Sequence, residues 1–152
     1  AYTADQNLQD APHRDLRRAR SAAINIVPTS TGAASALKQV IPAIGNKLGA
    51  SSYRVPVITG SIVDLNVITE RPVTVEEVNK AFLDVSQNRM KGIVEYCTDE
   101  IVSSDIVRNT HSCIFDSLMT EINGNILKIV GWYDNEAGYS SRLAELAYRI
   151  TT

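Results

Sequence analysis

Two cysteines, two phenylalanines, two methionines and one tryptophan are all that 152 residues contain of those four types. Cys97 and Cys113 form no disulfide framework and lack metal-ligand spacing, which fits a reducing, cytoplasmic setting. No apolar run approaches membrane-spanning length. A net charge of −2 argues against a nucleic-acid or membrane-surface partner. No Gly-x-Gly-x-x-Gly fingerprint occurs, so a nucleotide-binding half is not expected within these residues. Repeats, low-complexity segments and clusters of metal-ligating side chains are missing too. The opening Ala1-Tyr2-Thr3-Ala4-Asp5-Gln6 resembles neither a signal nor a transit peptide. It carries no initiator methionine, and the natural chain is expected to begin upstream.

What is present is a globular composition, 44% hydrophobic and 21% charged, enough for one domain or part of a larger protein. The polar stretch 5–20 has no apolar period and reads as a long ordered loop, carrying Pro12, Arg14, Arg17, Arg18 and Arg20 among Asp10 and Asp15. Its guanidinium groups suit ion pairs, a solvated face or a polyanionic ligand. Pro28 then precedes Thr29-Ser30-Thr31-Gly32-Ala33-Ala34. Thr31 reads as the N-cap of a helix running over 31–48, interrupted by Pro42 and ended by Gly45 and Gly49. Such a start is an ordinary cap or an anion site.

Short strands are expected at 51–56 and 61–70, the latter alternating Val63, Leu65 and Val67 with Asp64 and Asn66. Thr74-Val75-Glu76-Glu77 is a capping box opening a helix with Val75, Val78, Phe82 and Val85 on one side. Strands follow at 93–96, 101–102, 111–115, 118–122 and 126–133, with an Asn123-Gly124 hairpin turn. A helix over 138–150, with Tyr139, Leu143, Leu146, Ala147 and Ile150 inward, closes the chain. This order predicts an α+β domain: a mixed, mostly antiparallel sheet with helices packed on one face.

Several residues have two readings. Arg54, at a strand end, is a surface or ion-pair residue, or a phosphate ligand if it converges with Arg18 and the Thr31 cap. Asn135 and Tyr139 lie at a strand-to-helix junction, either as part of the fold or as an amide and a phenol presented to a ligand; an amide can recognise a carboxamide. His111 and Cys113 share a strand face, but nothing nearby lowers the thiol pKa, so no catalytic pair is assigned.

Ala1-Tyr2-Thr3-Ala4-Asp5-Gln6, Asp15-Leu16-Arg17-Arg18-Ala19-Arg20, Ile26-Val27-Pro28-Thr29-Ser30-Thr31-Gly32-Ala33-Ala34, Arg54-Val55-Pro56 and Trp132-Tyr133-Asp134-Asn135-Glu136-Ala137-Gly138-Tyr139-Ser140 resemble, in order and spacing, the catalytic C-terminal domain of phosphorylating glyceraldehyde-3-phosphate dehydrogenases. The resemblance runs from Ala1 to the end and implies that residues 1–152 are that domain, incomplete on its N-terminal side. It implies that Thr3, Asp5, Arg18 and Arg54 surround the substrate phosphate, and that Thr31 and Gly32 help hold inorganic phosphate. Asn135 would bind the nicotinamide carboxamide with Tyr139 beside it, while Pro12 belongs to the loop that reaches a neighbouring subunit's cofactor. NAD is the implied cofactor, with NADP possible. A homotetramer through the 5–20 loop and the sheet is the implied assembly.

The family's nucleophilic cysteine motif and its NAD-binding domain are absent from this sequence, and its histidine base would stand immediately before Ala1. No catalytic residue is therefore assigned here, and the isolated chain is expected to be inactive. Ser35 stands where many members carry Lys, and Ala11-Pro12 mixes features of NAD- and NADP-preferring members. A sister erythrose 4-phosphate dehydrogenase and a non-catalytic binding or assembly domain are the competing readings.

Overall fold

The computed structural model describes residues 1–44 and 47–151. It divides into two compact units, Ala1–Ile58 and Thr59–Thr152.

In the first unit, residues 1–26 are loop and turn, as the missing apolar period predicts. Strand β1 (Val27–Thr29) was not anticipated; it pairs antiparallel with β2 (Ser52–Arg54), in the register Val27↔Arg54, Pro28↔Tyr53 and Thr29↔Ser52. Pro28 is tolerated because this is a two-stranded ribbon, whose strands are both edges. Val27 and Thr29 are both buried, and their register puts Arg54 on the same ribbon face.

Helix α1 (Ala33–Val40) is shorter than predicted. Ile41 has left the helical region, at φ −133° and ψ 75°, because Pro42 bars its predecessor from the α conformation. The expected continuation through Ile41 and Ile44 is thus lost, and both are exposed. Gly45, expected to help end the helix, lies outside the described residues.

The second unit holds β3 (Ser61–Ile68), α2 (Val75–Gln87), β4 (Val94–Cys97), β5 (Cys113–Asn123), β6 (Ile126–Tyr133) and α3 (Ala137–Thr151). Its sheet has the order β3-β6-β5-β4, antiparallel except for the parallel β4–β5 pair. This is the predicted mixed, mostly antiparallel α+β sheet. The Thr74 box forms as read: Thr74 Oγ1 accepts from the Glu77 N–H at 3.2 Å and Glu77 Oε2 accepts from the Thr74 N–H at 2.9 Å.

Two sequence expectations merge in β5. The strands read at 111–115 and 118–122 are one strand with a register shift between Asp116 and Glu121. Asn79 on α2 fills this irregularity, donating to the Ser117 carbonyl at 3.1 Å and accepting from Thr120 Oγ1 at 2.8 Å. The bulge is thereby satisfied by a helix rather than by a neighbouring strand. On the same face Phe82 stacks on Phe115 with centroids 3.9 Å apart and planes 4° from parallel.

The strand expected at 101–102 does not form. Residues 103–108 are turns, and Ile101 and Ile106 instead pack with Cys97, Ile114 and Trp132 on the other face of the sheet. The expected inward side of α3 is also corrected: Tyr139, Leu143, Leu146 and Ile150 are exposed, and Gly138 is the helix's buried residue. Its 3.6-residue period was real, but no element within this unit covers that stripe.

Candidate functional site

A chain of polar contacts in the first unit joins three of the predicted phosphate residues, Thr3, Asp5 and Arg18, and stops at Ser30. Thr3 Oγ1 accepts from the Asp5 N–H at 3.3 Å and donates to Gln6 Oε1 at 3.2 Å. Asp5 forms an ion pair with Arg18. Arg18 also meets Asp15 through Nε at 3.3 Å and donates from Nη2 to the Ser30 carbonyl at 3.5 Å. That last bond ties the 5–20 loop to the residue immediately before Thr31. The loop is further closed by Asp10, which accepts from Arg20 Nε at 3.1 Å and the Ser21 N–H at 2.8 Å. Those bonds, above all the Ser21 N–H, hold the Asp10 carboxyl below its usual range.

Thr31 is not the N-cap; Gly32 occupies that position, at φ −80°. Thr31 Oγ1 nevertheless accepts from the Ala33 N–H at 3.2 Å, so the expected hydroxyl-to-helix bond forms one residue out of register. A Cβ on Gly32 would meet nothing within 4 Å. Neither packing nor a left-handed φ demands glycine there, and what it provides is a bare backbone beside the Thr31 hydroxyl.

Arg54 approaches from β2, donating from Nη1 to the Ala1 carbonyl at 3.3 Å, while its buried Nε has no hydrogen-bond partner. The Thr29 hydroxyl is likewise buried without a partner. No recorded hydrogen bond or ion pair joins Arg54 to Arg18 or Thr31 among the described residues; the ribbon β1–β2 and the Ala1 contact relate them. Pro12 is exposed.

The second unit carries the other predicted pair. Asn135, in the turn that leads into α3, and Tyr139, in the first turn of α3, are both exposed. No hydrogen bond engages the Asn135 carboxamide among the described residues. The backbone beside it, by contrast, is held by Asp134, one of the two residues, with Asn135, that the strand-to-helix junction offers as a cap. Asp134 Oδ1 accepts from the Glu136 N–H at 2.9 Å and the Ala137 N–H at 3.0 Å, and Oδ2 accepts from the Arg108 N–H at 2.9 Å. Burial pushes this carboxyl up, but the bonds from Ala137, Arg108 and Glu136 outweigh it, leaving its pKa below the ordinary value.

The sign of that shift sets a pH dependence. The contribution of Asp134 is fully present above the unfolded carboxyl pKa, about 3.9, and is lost as pH falls through the lower folded value. Acid titration should therefore loosen the start of α3 below about pH 4, and Asp134→Asn should flatten that limb. Amide exchange at Arg108, Glu136 and Ala137 measures it; an unchanged acid limb in the variant contradicts it.

His111 and Cys113 do not pair. His111 Nδ1 lies 3.0 Å from Glu95 Oε2 and 2.9 Å from Asn109 Oδ1. Burial raises the Cys113 thiol pKa, and its Sγ packs where a Cβ on Gly131 would sit, 2.8 Å away. Burial raises that of Cys97 as well.

Known proteins align with these features. A family profile described as "Glyceraldehyde 3-phosphate dehydrogenase, C-terminal domain" matches residues 1–135. The chain is 56% identical over 146 residues to glyceraldehyde-3-phosphate dehydrogenase of Mycobacterium avium, covering 96% of this chain and 43% of that protein. It is 54% identical over 150 residues to glyceraldehyde-3-phosphate dehydrogenase 2 of Streptomyces arenae, covering 99% of this chain and 45% of that one. The Mycobacterium tuberculosis enzyme of the same name is 55% identical over 146 residues, 96% of this chain and 43% of its own length. The chain thus spans less than half the length of these curated relatives.

Proposed function

Because the chain belongs to the glyceraldehyde 3-phosphate dehydrogenase C-terminal domain family, we propose that the full-length protein carrying it converts glyceraldehyde 3-phosphate, NAD and inorganic phosphate to 1,3-bisphosphoglycerate and NADH. The observation that carries this reading is the chain of contacts running from Thr3 through Asp5 and Arg18 to Ser30, next to Thr31 and Gly32. Its donors suit phosphate oxygens. Arg54 keeps a buried Nε without a partner, and the Thr31 hydroxyl, which accepts from Ala33, still has its proton to donate.

Asp5 cannot itself hold an anion. Its pairing with Arg18 gives it a different task, which is to aim the guanidinium. Arg18 and Arg54 bind and orient the phosphorylated aldehyde, while Thr31 and Gly32 receive the inorganic phosphate. In the second unit, the unengaged Asn135 amide fits a nicotinamide carboxamide, with Tyr139 in the first turn of α3 to pack beside it. NAD, when bound, supplies the hydride acceptor. The nucleophile and base come from outside these residues, so this chain contributes binding and orientation.

We read the assembly as a homotetramer involving the 5–20 loop and the sheet, and the compartment as cytoplasmic, supported by two free thiols. The cofactor is a nicotinamide dinucleotide, NAD or NADP; Pro12 lies on the exposed part of the loop assigned to a neighbouring subunit's cofactor. Steady-state assays of the full-length protein test the reading. A higher kcat/KM for glyceraldehyde 3-phosphate than for erythrose 4-phosphate is expected, with no NAD reduction by the 152-residue chain alone. The opposite preference assigns the sister activity, and turnover by the bare chain overturns the division of labour.

A further inference from the structure

We propose that Asp134 is the positioning residue for Asn135, tying the start of α3 to the Arg108 turn so that the carboxamide is presented on a fixed backbone. This rests on Asn135 being the nicotinamide ligand. Asp134 is 4% exposed, and its three accepted N–H bonds come from two separate segments. A helix cap needs one oxygen, and a serine or threonine would supply it. Here a whole carboxylate is buried, and its second oxygen is spent on a residue 26 positions away in sequence.

The anchor at the far end is itself held. Arg108 has φ 67°, the one positive φ outside glycine among the described residues, a conformation a non-glycine residue keeps only when its surroundings impose it. On one side of it, Ile106 is 1% exposed in the core and its carbonyl accepts from the Asn109 N–H at 3.0 Å. On the other, Asn109 Nδ2 donates to Glu95 Oε2 at 2.7 Å on the edge strand β4, and Asn109 Oδ1 accepts from the His111 N–H at 2.9 Å. The His111 carbonyl in turn lies 2.9 Å from where a Cβ on Gly138 would stand, closing the loop against the first turn of α3.

Asn135 therefore has fixed neighbours on both sides and an unengaged side chain. That is the arrangement which minimises the ordering cost of ligand capture. The sequence signal was the acidic residue immediately before Asn135; its second partner is invisible without the fold.

Four forms of the full-length protein decide the matter: parent, Asn135→Ala, Asp134→Ala and Asp134→Asn. The asparagine keeps one acceptor for the helix end but turns an NH2 toward the Arg108 N–H. Asp134→Ala should lower kcat/KM for NAD about tenfold and raise the calorimetric NAD dissociation constant at least about threefold, with the phosphate KM within about twofold. Asp134→Asn should fall between it and the parent, with amide protection lost at Arg108 and retained at Glu136 and Ala137. NAD constants within about twofold of the parent in folded Asp134→Ala, while Asn135→Ala weakens them, overturn the positioning role and leave the ligand assignment standing. NAD and phosphate constants moving together also overturn it. Unchanged NAD constants in Asn135→Ala remove the ligand assignment, and the proposal with it. If Asp134→Ala does not fold, Asp134→Asn decides alone: lost Arg108 protection with unchanged NAD constants overturns the proposal.

Discussion

Arg54→Ala in the full-length protein should raise the Michaelis constants for inorganic phosphate and for the phosphorylated aldehyde by about 10- to 100-fold, the equivalent of the ~1.5–3 kcal/mol of a charge-assisted hydrogen bond. Arg54 ends β2 opposite Val27, so its side chain leaves a two-stranded ribbon from a fixed register position. One nitrogen holds the Ala1 carbonyl at 3.3 Å while the buried Nε has no protein partner. A buried donor left unmade is costly unless a ligand completes it, and a phosphate oxygen has the charge to do so. Arg54→Lys separates charge from geometry: an ammonium keeps the charge but not the planar fork, so most of the loss should remain. Unchanged constants for both phosphates in a folded Arg54→Ala protein refute the assignment.

The largest stability effect is expected at Phe115. Phe115→Ala should destabilise the second unit by about 3–5 kcal/mol, a large part of the 5–15 kcal/mol typical of a folded domain. Phe115 is 1% exposed, stacked on Phe82 from α2 and tilted against Tyr96 from β4 with centroids 5.8 Å apart. It is the ring through which helix, edge strand and central strand share one contact. With so few aromatics in the sequence, no neighbouring ring replaces it. The midpoint of urea unfolding reads the loss; a shift of less than about 1 kcal/mol contradicts this account.

Local signals in the sequence were enough wherever one residue's chemistry decides. The Thr74–Glu77 box and the alternation of β3 produced elements where they were read, and the Asn123-Gly124 signal produced a hairpin one residue out of register, with Asn123 paired to Ile126 and Gly124-Asn125 as the loop. Where two local rules competed, the wrong one was chosen. Apolar spacing extended α1 past Pro42, but the steric bar on the residue before proline ended it at Val40. Pro28 sits inside a strand that the sequence did not suggest, and on a ribbon of two edge strands it costs little.

The site divides in the same way. Thr3, Asp5, Arg18, Thr31, Gly32, Arg54, Asn135 and Tyr139 are candidates through a family resemblance carried by long motifs in order and spacing; the chemistry of the single residues leaves an ordinary cap or surface role open for each. What only the tertiary structure decided is who holds whom. Arg18 reaches Ser30 across 12 positions, Asn79 fills a bulge 38 positions away, and Asp134 grips Arg108. Such bonds depend on chain segments brought together by packing, and no pattern of period 2 or 3.6 encodes them. The same physics explains α3: its apolar stripe was readable from spacing alone, whereas which surface that stripe meets is a property of neighbours, and none within its own unit covers it.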